Sequence, residues 1–121
     1  MQERKAIILF GHGSRDPLWR RPIEAVASRL AAQQPGLLVR CAYLELDQPD
    51  LPAASAQLAA QGATEVTIVP MFLGAGRHAR EDLPRLVQAL RDANPAVQFK
   101  LQQPVGEDPR VLDLLATIAL E

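Results

Sequence analysis

One cysteine, Cys41, is all the chain has, so no disulfide can brace it from within. A lone thiol suits a reducing setting, and the expected compartment is the cytoplasm. The sequence shows no run of about 18 apolar residues and no secretory leader, so neither a membrane partner nor an exported precursor is expected. It also lacks an excess of either charge. Thirteen Lys and Arg against 14 Asp and Glu leave a net charge of −1, without the basic balance of a general nucleic-acid binder. Aromatic residues amount to only 4%, too few for a site built on extensive ring stacking. What remains is a chain of 121 residues that is 48% hydrophobic, enough for one core and therefore for one domain over residues 1–121.

The hydrophobic pattern alternates strictly between strand and helix. Lys5 to Phe10 is a short apolar run ending at glycine, as a strand covered on both faces should be. Asp16-Pro17 reads as a helix cap with proline in the first turn, and Ile23, Val26, Ala27 and Leu30 follow at helical spacing up to Pro35-Gly36. The same logic gives a strand over Leu37 to Leu44, a helix over Asp50 to Gln61 and a strand over Glu65 to Val69. A third helix is predicted from near Arg80, with Pro84 tolerated only in its first turn and Asn94-Pro95 as its stop. Val97 to Leu101 is the fourth strand. Asp108-Pro109 caps a last helix carrying Val111, Leu112, Leu115 and Ile118.

Short right-handed connections in such a pattern require an α/β fold, a four-stranded parallel sheet with helices on both faces, its strand order predicted as 2-1-3-4. In that order the crevice opens at the carboxyl ends of the first and third strands, where open α/β sheets bind ligands. The chain's only two histidines fall there: His12 in Gly11-His12-Gly13-Ser14-Arg15-Asp16, and His78 in Gly74-Ala75-Gly76-Arg77-His78. Glu45 follows the second strand, one strand spacing of about 4.8 Å further off. Two imidazoles and a carboxylate suit a divalent metal, and imidazole, largely neutral near pH 7, suits proton transfer.

Each of these signals has a plainer reading. A histidine after a strand is often a structural cap, and Glu45 can equally be a solvated loop carboxylate. The Gly11 to Arg15 loop can instead cradle a phosphate at a helix start, although it matches neither a Walker A loop nor a GxGxxG fingerprint. Arg15, Arg20, Arg21, Arg77 and Arg80 form either a solvated rim or a set of forks for a polycarboxylate ligand. Pro70-Met71-Phe72-Leu73 is either core or the apolar wall of a ligand site.

Taken together, Gly11-His12-Gly13-Ser14-Arg15, Leu44-Glu45-Leu46, and Pro70 through Gly76-Arg77-His78 into Glu81-Asp82-Leu83-Pro84 resemble the short-form sirohydrochlorin chelatases of the CbiX type, within the class II chelatases. The similarity covers nearly the whole chain. It implies a chelatase-like domain that inserts divalent cobalt or iron into sirohydrochlorin without ATP, in cobalamin or siroheme biosynthesis. It also maps the catalytic and metal-binding histidines onto His12 and His78 and the glutamate onto Glu45. On that reading Ser14, Arg15, Met71, Phe72, Leu73, Arg77 and Arg80 are the candidate tetrapyrrole contacts. The metal (Co2+, Fe2+ or Ni2+) is a substrate rather than a tightly bound cofactor, and the short chain is expected to form a homodimer that closes the cavity. A non-catalytic metal or tetrapyrrole carrier is the alternative, followed by a phosphate-binding domain.

Overall fold

A computed structural model describes residues 3–121, except for the side chain of His78. The strands are β1 (Lys5–Gly11), β2 (Leu38–Tyr43), β3 (Glu65–Pro70) and β4 (Gln98–Leu101). They alternate with α1 (Arg21–Gln33), α2 (Leu51–Ala60), α3 (Arg77–Ala93) and α4 (Pro109–Ala119). All pairings are parallel and the order is β2-β1-β3-β4, as the alternation predicts.

Side-chain alternation divides the core between the two faces of the sheet. Ala6, Ile8 and Phe10 of β1 join Val66 and Ile68 of β3 beneath Leu58 of α2 and Val87 of α3 in one cluster. On the other face Leu9 and Tyr43 pack with Ile23 of α1. A fully buried side chain of this kind contributes about 1.5–3 kcal/mol, so the central strand, covered on both faces, anchors the fold.

Three details depart from the pattern-based expectation, each for a local reason. The first helix is split into a 3-10 turn, Pro17–Arg20, and α1. Pro22 has no N–H to give the Leu18 carbonyl, and the Arg21 N–H reaches it instead. The third helix starts at Arg77 rather than near Arg80, with extended Gly76 as its N-cap, so Pro84 lies inside the helix and not in its first turn. Its missing N–H withdraws the bond to the Arg80 carbonyl at an exposed position, where solvent can take it over. Finally, α4 is well capped by Asp108 but buries none of its residues. Among the described residues no helix is long and apolar enough to cross a membrane.

Candidate functional site

The loops after β1 and β2 are knitted into one unit. Beyond the strands, the Leu44 N–H donates to the Gly11 carbonyl at 2.9 Å and the Glu45 N–H to the His12 carbonyl at 3.0 Å. His12 and Glu45 are thereby held side by side through their backbones, and both side chains are exposed. Glycine fits closely before His12 and is required after it. At Gly11 a Cβ would stand 3.1 Å from the Trp19 ring. At Gly13, where φ is +100°, it would stand 1.7 Å from the Glu45 carbonyl oxygen. Sequence reasoning missed the residue that locks this unit, Asp47. Its carboxylate, only 7% exposed, accepts the Ser14 N–H at 2.8 Å and a guanidinium N–H of Arg20 at 2.9 Å. A single acidic residue in a loop carries no spacing signal, so nothing in the sequence marked it.

The His12 imidazole lies on the Phe72 ring, with centroids 4.3 Å apart and planes at 29°. Phe72 is buried and meets Phe10 edge-on, which fixes the platform from below. Beside them opens an apolar cavity of about 250 Å³, lined by Phe10, His12, Leu44, Phe72 and Leu83 with Arg77 at its rim. Leu44 and Leu83 fall within the motifs that carry the family resemblance, but nothing in the sequence marked them as cavity lining. His78 is the second residue of α3, at the carboxyl side of β3. Its imidazole lies outside the described residues. Among the side chains that are described, no three His, Cys, Asp or Glu form a metal-holding group.

The remaining candidate contacts separate by position. Phe72 belongs to the cavity, whereas Met71 packs on the opposite sheet face with the α1 cluster, because successive residues leaving a strand alternate sides. Leu73 is 70% exposed beyond the platform. Arg15, Arg77 and Arg80 are exposed, and Arg77 also pairs with Glu81 at 3.2 Å. Ser14 uses its hydroxyl to accept the Asp16 N–H at 3.1 Å. With the Ser14 amide committed to the Asp47 carboxylate, an acid stands where a phosphate cradle would need an open donor, which argues against that alternative.

The clearest displaced pKa values lie away from this cavity. Burial pushes the Tyr43 hydroxyl up to about 12, and burial likewise raises the Cys41 thiol, both on the α1 side of the sheet. The Asp108 carboxyl is held down at about 2, first by the Arg110 guanidinium and then by the Arg110 backbone amide, in the α4 cap.

Comparison with known proteins places this geometry. A sirohydrochlorin cobaltochelatase of Methanosarcina acetivorans is 29% identical over 122 residues, covering 95% of this chain and 94% of that protein. A crystal structure of a CbiX protein from Marinobacter aquaeolei VT8 superposes with a TM-score of 0.83 at 32% identity, covering 95% of this chain and 93% of that one. The sirohydrochlorin chelatase SirB from Bacillus subtilis subspecies spizizenii, solved with cobalt, superposes at 0.80 with 25% identity, covering 94% of this chain but 49% of its own length. SirB from Bacillus subtilis with Fe3+ gives 0.78 at 26% identity, covering 94% and 45%. The CbiX family model matches residues 6–120, and the chain therefore belongs to the CbiX family.

Proposed function

We propose that this protein inserts a divalent metal, Co2+ or Fe2+, into sirohydrochlorin without nucleotide hydrolysis. The observation that supports this most directly is the exposed imidazole of His12, stacked on Phe72 beside an apolar cavity at the carboxyl ends of β1 and β3. Metal insertion exchanges the pyrrole N–H protons for the ion. It needs ligands that hold the metal loosely and a base that accepts protons, and neutral imidazole does both. His12 and His78 present the ion and take the protons. Glu45, tied to the His12 backbone, adds negative charge and passes protons to solvent. Phe72, Leu44 and Leu73 offer an apolar bed to the macrocycle, with Ser14 and the guanidinium groups of Arg15, Arg77 and Arg80 at its carboxylate periphery.

A cavity of about 250 Å³ falls below the roughly 300–1,000 Å³ of sites that enclose even a drug-sized ligand. One copy therefore supports only one side of a tetrapyrrole, and the functional unit is a homodimer in the cytoplasm. Nickel suits the same donors, so metal choice rests with supply.

The test is spectrophotometric. Sirohydrochlorin and Co2+ in large excess over protein should be converted over many turnovers, with His12→Ala and His78→Ala each reducing the rate at least a hundredfold. Conversion limited to one equivalent per site would make the protein a carrier, and wild-type rates in both variants would remove the histidines from the mechanism.

A further inference from the structure

Among the described residues three have a backbone φ in the left-handed range, Gly13 at +100°, Gly62 at +91° and Leu46 at +67°. Two are glycine, which adopts that conformation freely, whereas any side chain there crowds the neighbouring carbonyl. Leu46 is the exception. The Asp47 N–H donates to the Glu45 carbonyl at 2.8 Å, which with the positive φ makes Leu46 the centre of a γ-turn of the rarer, strained hand. The turn is held from both sides: Asp47 is pinned through its carboxylate to Ser14 and Arg20, and the Glu45 carbonyl rests against Gly13. Those contacts explain why the chain turns here. They do not explain leucine, because glycine would make the same turn without strain.

The Leu46 side chain is not used by its own core. It is 56% exposed and belongs to neither buried cluster. A single exposed leucine is ordinary on a protein surface. One kept at a backbone position that penalises every side chain is not, and strain of this kind concentrates where a ligand is bound or gripped.

Sheet order indicates which ligand. The His12 loop follows β1, the strand between β2 and β3. On its β3 side stand Phe72 and the exposed Leu73. On its β2 side the chain presents Leu44, Glu45 and Leu46, tied to the His12 loop by the bond from the Glu45 N–H to the His12 carbonyl. Arg15 belongs to the β1 loop, and Arg77 and Arg80 to the start of α3 after β3, so their attraction for carboxylates acts away from the β2 loop. Arg20 does reach that loop, but it is paired with Asp47 at 2.9 Å. What the β2 loop itself offers is the Glu45 carboxylate, which repels a polycarboxylate ligand. Grip on that side therefore has to be apolar, and Leu44 and Leu46, both about half exposed, are the side chains able to supply it.

We propose that Leu46 is a tetrapyrrole contact, bearing on the uncharged part of the macrocycle across the His12 loop from Leu73, and that the strained turn is retained because it holds this side chain there. Resting on the metal-insertion reading of the site, this adds a residue that binds the ring but takes no part in moving protons or metal. Its loss should then raise KM and leave kcat in place, the pattern of an interaction made equally in the ground and transition states.

Binding of metal-free sirohydrochlorin is read directly from quenching of Trp19, the chain's single tryptophan, and turnover from cobalt insertion. Leu46→Ala and Leu46→Gly should each weaken binding and raise KM about fivefold to tenfold, as expected when roughly half a leucine side chain is no longer removed from water. Leu46→Met, equally apolar, should stay within about twofold of wild type. The two truncations should part in stability, with Leu46→Gly melting at least about 3 °C above Leu46→Ala, because only glycine relieves the turn. A Leu46→Gly chain that binds sirohydrochlorin as tightly as wild type would show the side chain to be idle and overturn the contact. A fall in kcat with KM unmoved would make the turn a mount for Glu45 alone and would also overturn it. So would variants that sediment differently from wild type, since Leu46 would then lie between subunits. A wild-type chain that fails to bind sirohydrochlorin would remove the metal-insertion reading and the contact with it, whereas wild-type binding that the Leu46 variants share would remove the contact alone.

Discussion

Replacing Gly13 with alanine should damage the fold and the site together, because the obstructing atom belongs to Glu45 itself. Alanine at φ +100° carries a conformational penalty of about 1–2 kcal/mol. The new methyl would start 1.7 Å from the Glu45 carbonyl oxygen, and ordinary carbon–oxygen contact near 3.3 Å requires a retreat of roughly 1.5 Å. That movement strains the bond from the Asp47 N–H to the Glu45 carbonyl, now 2.8 Å, and the bond from the Glu45 N–H to His12. Each contributes about 0.5–1.5 kcal/mol. The total is about 2–5 kcal/mol, equivalent to roughly 10–20 °C in melting temperature for a domain of this size.

Gly62 provides the internal control. Its φ is +91° but a Cβ there meets nothing within 4 Å, so Gly62→Ala isolates the backbone penalty of about 1–2 kcal/mol. Thermal melts of both variants separate strain from obstruction, and cobalt insertion at a temperature where both are folded separates stability from geometry. Gly13→Ala should lose at least tenfold in rate while Gly62→Ala keeps the wild-type value, given how sharply rates fall with misplacement of about 1 Å. Equal melting temperatures for the two variants, or an unimpaired rate in Gly13→Ala, would refute the reasoning.

Three further outcomes rest on other parts of the fold as well as on this loop. Asp47→Asn places an amide donor against either the Ser14 N–H or the Arg20 guanidinium, so it should cost about 1–3 kcal/mol by urea denaturation and lower the insertion rate by loosening the loop that carries His12. Ser55 is fully buried in α2 with its hydroxyl unpartnered among the described residues, so Ser55→Ala should raise the denaturation midpoint by about 1 kcal/mol of stability; a fall would reveal a partner for the hydroxyl. Asp108 has its pKa lowered to about 2 in the folded chain, so the unfolded chain binds the extra proton first. The stabilisation is complete above the ordinary carboxyl value near 4 and is lost as pH falls from there toward 2. A carboxyl NMR titration of Asp108 in the native chain should show that lowered midpoint, and Arg110→Ala should move it back up.

Strand order was legible because it follows from the alternation of strand and helix and from handedness, which whole elements carry. The runs Lys5 to Phe10 and Glu65 to Val69 read as strands, and the predicted order put them side by side, with His12 and His78 beyond their carboxyl ends. Features resting on one side chain were not legible. Asp47 has no repeated neighbour to mark it, and Met71 and Phe72 look alike in sequence although alternation sends them to opposite faces. The early start of α3 was hidden by Pro84, since a proline inside a helix argues for a later start unless the exposed position of that residue is known.

The glycine-rich loop shows how a motif can mix two kinds of constraint. Gly11 admits the Trp19 ring and Gly13 admits the Glu45 carbonyl, so both glycines are explained by packing before any chemistry is invoked. His12 is different. Its exposed ring closes no core, and its backbone carbonyl would accept the Glu45 N–H whatever side chain it carried. The loop is thus an inflexible mount whose stability comes from residues flanking the histidine, and the imidazole itself adds only its stacking on Phe72. On this view His12→Ala should melt within about 0.5 kcal/mol of wild type, as surface substitutions do, allowing for the ring stacked on Phe72. The same variant should lose nearly all metal insertion. A variant that lost stability in step with activity would instead make His12 a structural lid over Phe72, and the division of roles within the loop would fail.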